Sequence, residues 1–77
     1  MSTSPEELIG VLSRWIAGHL DNAELRNELA GADRAMLTDS QAEAIDELAA
    51  ELREAAPEAR GRLEWVVRET LEALALE

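Results

Sequence analysis

Residues 4–25 read SPEELIGVLSRWIAGHLDNAEL, and this stretch decides the fold because it holds one helix start, one stop and a second start in immediate succession. Ser4 is placed to cap, Pro5 takes the first helical position, and Glu7 completes an S-x-x-E capping box. At about 100° per residue, Leu8, Ile9, Val11, Leu12, Trp15, Ile16 and Leu20 fall within half the circle, opposite Gly10, Ser13, Arg14 and Ala17. The spacing predicts an amphipathic helix over about 5–19 with Trp15 as a core anchor. Asp21 and Glu24 repeat the box, and Leu20 and Leu25 stand at the two positions of a hydrophobic staple. A second helix is expected over about 22–30, closed by Gly31 in a left-handed conformation.

Beyond it, Ala32 to Leu37 shows no period and reads as a loop with a possible turn of helix, Met36 and Leu37 folding inward as a plug. Thr38-Asp39-Ser40-Gln41 is a third box. Ile45, Leu48 and Leu52 follow at helical spacing, with Gln41, Ala55 and Ala59 extending the seam, so a helix is read over about 39–56. Ala56 before Pro57 disfavours helical geometry, which predicts a tight turn near Pro57. The last helix, about 58–76, puts Leu63, Val66, Val67, Leu71 and Leu74 on one face, with Glu58–Arg62 and Glu64–Arg68 pairs at i, i+4 outside. The expectation is an all-α, small antiparallel bundle of three to four helices in a single domain over 5–77, with residues 1–4 frayed.

Composition agrees and excludes much else. Fourteen Ala and 12 Leu against three Ile, three Val and no Phe or Tyr favour helix over strand. Seventeen acids against seven Arg and no Lys give a net charge of -10, which rules against a nucleic-acid-binding surface. No apolar run approaches the roughly 18 residues of a membrane span, and the first residues lack a basic leader. The absence of Cys removes disulfides and thiolate metal sites and is compatible with a reducing cytoplasm, where the protein is expected to act. Arg in place of Lys, with abundant Ala, suggests a high-GC bacterial genome.

The inventory for catalysis is poor: one His, four Ser, no Cys, Tyr or Lys, and four isolated Gly. No G-x-S-x-G nucleophile turn, phosphate-cradling loop or Glu-x-x-His metal motif can be drawn, so no catalytic residue, cofactor or metal is expected. His19 could titrate as a pH switch, but its position after Gly18 reads more simply as the end of the first helix.

Two surfaces remain as candidate partner sites. Residues 39–58 hold seven acids against Arg53 alone, and Glu43, Glu47, Glu51, Glu54 and Glu58 step along one helix face as an anionic ridge. Trp65 points about 200° from Leu63 around the last helix, among polar residues, with Arg62 and Arg68 at i-3 and i+3 able to stack on it or meet a partner's acids. Only 22 residues are large and apolar, a thin core that self-association would reinforce. The leading expectation is therefore a small acidic helical interaction module, self-associating as a homodimer, that holds a protein partner, itself or a basic protein, by an apolar patch around Trp65. The alternative is an acidic inhibitor that blocks a basic toxin or nucleic-acid-binding protein with the ridge. The run from Glu7-Leu8-Ile9 through Trp15-Ile16-Ala17-Gly18 to Asp21-Asn22-Ala23-Glu24-Leu25, about a quarter of the chain, resembles in its amphipathic spacing the opening helices of bacteriocin immunity proteins. That resemblance implies a small helical inhibitor of a toxin.

Overall fold

Side-chain caps start three of the helices. In the computed structural model, which describes residues 4–56 and 59–76, Ser4 Oγ accepts the Glu7 N–H at 3.3 Å. Asp21 and Glu24 exchange both bonds of their box, at 2.7 and 3.2 Å, and Thr38 and Gln41 do the same at 3.1 and 3.0 Å. Each satisfies backbone donors that the first turn of a helix leaves open. The helices that follow are α1 (Pro5–Ile16), α2 (Asn22–Ala30) and α3 (Asp39–Glu54), and the chain closes with α4 (Gly61–Leu76). A single 3-10 turn spans Arg34–Met36, and no strand occurs among the described residues. The protein is all-α, a small helical bundle as the spacing predicts.

Neighbouring helices run antiparallel. Gln41 Nε2 at the start of α3 donates to the Leu74 carbonyl near the end of α4, while Glu51 near the end of α3 pairs with Arg62 at the start of α4. Likewise Asn22 at the start of α2 reaches Ala56 just beyond α3, and Arg34 just beyond α2 pairs with Asp46 in α3. All four helices supply the core: Leu8, Leu12 and Trp15, then Leu25 and Leu29, then Ile45, Leu48 and Leu52, then Leu63, Val67 and Leu74. Ile9, Ile16, Leu20, Leu37 and Leu71 close it from the rim.

At one end of the bundle, where α1 and α3 finish and α2 and α4 begin, a polar node joins segments distant in sequence. Trp15 is fully buried, and its Nε1–H donates to Asn22 Oδ1 at 2.8 Å. The Asn22 amide in turn donates to the carbonyls of Ala59 at 3.0 Å and Ala56 at 3.4 Å. The Arg60 guanidinium lies 4.0 Å from the Trp15 ring centroid and donates to the Trp15 carbonyl at 2.7 Å. One cation thus stacks on the core tryptophan and caps the end of α1, sharing the Trp15 carbonyl with the Gly18 N–H and reaching the Ile16 carbonyl at 3.4 Å. Buried polar atoms are expensive unless paired, and no described buried side-chain nitrogen or oxygen lacks a partner. Thr70 reaches that state locally, its hydroxyl donating to the Val66 carbonyl one turn back at 2.9 Å.

The termini of the helices depart from the spacing-based limits. α1 stops at Ile16 rather than 19, because Gly18 adopts φ +85° and the chain closes a Schellman turn. In that turn the His19 N–H donates to the Arg14 carbonyl at 2.9 Å and the Gly18 N–H to Trp15 at 3.0 Å. His19 is consequently outside the helix and exposed. Gly31, in contrast, stays right-handed at φ -87°. Its own N–H bonds to Asn27 and the next to Leu29, so the helix end is satisfied without a left-handed residue. Met36 does not plug the core; it is exposed, and Leu37 alone turns inward. The 3-10 turn, with the Ala35 N–H held by Asp33 Oδ1 at 2.9 Å, points the two side chains apart. α3 ends at Glu54, not 56, and α4 begins at Gly61, not 58, leaving Ala59 exposed and outside the seam. Residues 1–3 and the expected turn at Pro57 lie outside the described residues.

The two glycines give opposite expectations. A Cβ at Gly18 would meet nothing within 4 Å, so Gly18→Ala costs only the left-handed backbone, about 1–2 kcal/mol, and should lower the melting temperature measured by circular dichroism. At Gly31 a Cβ would make ordinary contacts at 3.8 Å from right-handed backbone. Gly31→Ala should leave the melting temperature unchanged or raise it slightly, as restricting the unfolded chain stabilises by about 0.4–1 kcal/mol.

Candidate interaction face on α3 and α4

The two surfaces singled out from the sequence belong to one face. Taking Ile45 as origin and about 100° per residue, Glu51 and Ala44 of α3 lie on the flank toward α4, Glu47 lies just outside them, and Glu43 and Glu54 point to solvent. On α4, Trp65 and Glu69 flank Val66 on the side toward α3. The antiparallel register brings these residues together: Ala44, Glu47, Trp65, Val66, Glu69 and Thr70 line a cavity of about 150 Å³.

Trp65 stands at its mouth with 60% of its surface exposed. A helix packed on that side would have buried it; α1 and α2 instead pack on the far side of α3 and α4, where the buried faces of these helices turn. Glu47 and Glu69 beside it are both exposed. The arginines that the sequence offers as neighbours of the ring are engaged elsewhere. Arg62 Nε donates to Glu51 at 3.0 Å across the hairpin, and Arg68 donates to Glu64 at 3.1 Å one turn back. Glu64–Arg68 is the i, i+4 pair expected from the sequence, whereas Arg62 pairs with α3.

The ridge is accordingly divided. Glu51 is half-buried and neutralised by Arg62, while Glu43, Glu47 and Glu54 remain exposed without an ion pair among the described residues. Glu58 lies outside the described residues. An aromatic ring beside two unpaired carboxylates is suited to a cation, because the π-face and the carboxylates attract the same charge.

Several residues that matter here carry no sequence signal read above. Asn22 was legible as the first residue of α2, but its i+3 and i+7 relation to the core residues Leu25 and Leu29 is the clue that it faces inward. Arg60 lies in a connection, where no periodicity applies. Elsewhere, His19 shares a shallow depression with Asp21, Glu24 and Arg60 and is exposed. Among the described residues, no group of three or more His, Asp or Glu side chains is arranged to hold a metal ion, and no helix is long and apolar enough to cross a membrane. The chain matches no family model, no curated protein and no solved structure.

Proposed function

We propose that the protein is a non-catalytic interaction module that holds a basic segment of a protein partner against Trp65, between Glu47 and Glu69. The observation that carries this reading is the largest exposed aromatic of the chain standing beside unpaired carboxylates while its own arginines are occupied. Tryptophan in such a place is the residue type that most often anchors an interface, and a partner's Arg or Lys stacked on it and desolvated contributes about 2 kcal/mol.

The rim favours a basic partner over a second copy. Apposing this face with its own twofold mate would bring Glu47 and Glu69 against the same residues of a chain that already carries -10. An inhibitor that fills a basic groove of a toxin or nuclease is one form of the same reading, with Glu43 and Glu54 supplying longer-range attraction.

The test is a titration of the protein with a short arginine-rich peptide, followed by amide chemical shifts. Shifts should gather on Ala44, Glu47, Trp65, Val66 and Glu69, and should weaken steeply with salt. Trp65→Ala should lower affinity by about 2 kcal/mol, roughly thirtyfold, while its exposed position leaves the melting temperature nearly unchanged. Glu43→Gln should reduce affinity far less than Glu47→Gln. If Trp65→Ala binds the peptide as well as the parent does, the attraction is diffuse and this reading is wrong.

A further inference from the structure

On the opposite flank of α3 the charge reverses. Arg26 and Asn27 of α2, Arg34 of the 3-10 turn and Arg53 of α3 line a cleft of about 240 Å³, floored by Leu29 and Ala49. Three of the seven arginines in a chain of net charge -10 thus gather at one place.

Their pairing is unusual for so acidic a sequence. Arg34 donates one guanidinium nitrogen to Asp46, but Arg26 and Arg53 form neither an ion pair nor a hydrogen bond among the described residues. Neither has an Asp or Glu three or four residues away along its own helix, where a stabilising carboxylate would stand. α2 and α3 run antiparallel, so Arg26 from one helix and Arg53 from the other border the same cleft, and their unpaired positive charges add there. Each presents up to five N–H donors in a planar fork matched to carboxylate or phosphate oxygens.

We propose that this cleft binds a small dianion, one carrying two carboxylate or phosphate groups, which bridges Arg26 and Arg53. The site is separate from the Trp65 face and does not depend on it. Arg34, held in place by Asp46, adds a third positive charge at the rim, and Asn27 an amide donor. Leu29 is buried and Ala49 half-buried, so the floor is apolar and suits a ligand with a short carbon or bridging-oxygen centre between charged ends.

Amide and arginine side-chain shifts, followed while pyrophosphate or succinate is added to the full chain at constant ionic strength, test this directly. Saturable shifts are expected at Arg26, Asn27, Ala49 and Arg53. Saturation by pyrophosphate alone would identify a phosphate ligand, and by succinate alone a dicarboxylate. Arg26→Gln and Arg53→Gln should each weaken binding about tenfold or more, since each removes a charge-assisted contact. Arg14→Gln, which removes an exposed arginine of α1 that does not line the cleft, should leave it unchanged. Shifts that fail to saturate at millimolar concentrations of both anions, or that weaken as much with Arg14→Gln as with Arg53→Gln, would overturn the assignment.

Discussion

Trp15→Ala is expected to leave the chain unfolded at 25 °C. The indole is fully buried in a core to which all four helices contribute. Truncating a buried Trp costs about 3–5 kcal/mol through lost transfer energy and the cavity left behind. To this is added the loss of the hydrogen bond to Asn22 and of the ring on which Arg60 lies. A domain of this size has a total stability of about 4–12 kcal/mol, and short chains sit toward the lower end. Amide dispersion and far-ultraviolet circular dichroism read the outcome. Trp15→Phe separates the contributions: it keeps most of the apolar volume and loses the Nε1 donor, so it should fold with a clearly lowered melting temperature. A Trp15→Ala protein melting near the parent would mean that the node contributes little to the stability of the fold.

The second large effect is expected at Asn22, where a single amide satisfies groups on three segments. Asn22→Ala orphans the Trp15 Nε1–H and releases the carbonyls of Ala56 and Ala59, for a loss of about 2–3 kcal/mol. Asn22→Asp sets two effects against each other. A carboxylate in the first turn of α2 gains about 0.3–1 kcal/mol from the helix dipole. It also replaces the donor by an oxygen facing two carbonyls in a position only 8% exposed, and that penalty of several kcal/mol wins. The aspartate variant should therefore be less stable than the parent at neutral pH. It should recover as the pH falls, because burial and the carbonyls raise the folded carboxyl's affinity for a proton above that of the unfolded chain. Thermal melts of both variants across pH check this; an Asn22→Asp protein as stable as the parent at neutral pH would show that the amide donor contributes nothing.

These two residues mark the boundary of what could be read from the sequence. Helix starts were legible because a cap and its partner are three residues apart: Ser4, Asp21 and Thr38 each open a helix at the position the box indicates. Helix ends were less so. The end of α1 turns on the backbone angle at Gly18, and the same residue type at Gly31 behaves differently because its own N–H and that of Ala32 reach helix carbonyls from right-handed backbone. The limits of α3 and α4 depend on Ala56 and Ala59, whose carbonyls are claimed by a side chain 34 and 37 residues away. No local pattern contains such a contact. For the candidate face, helical spacing placed Trp65 on the polar side of its helix, but its exposure depends on where α1 and α2 pack. The ridge looked continuous along α3 because spacing describes one helix at a time; the partner that interrupts it at Glu51, Arg62, arrives from another element.

The Asn22–Trp15–Arg60 node also bears on the order of events in folding. α1 with α2, and α3 with α4, meet through contacts close in sequence, whereas the node's bonds to Ala56 and Ala59 and from Arg60 to Trp15 close loops of 34 to 45 residues. Long loops are closed late, since their entropy must be spent before the contacts form. The node is therefore expected to form late, as a latch between the α1–α2 and α3–α4 hairpins. Weakening it should appear mainly as faster opening of the native state, with the rate of reaching it little altered.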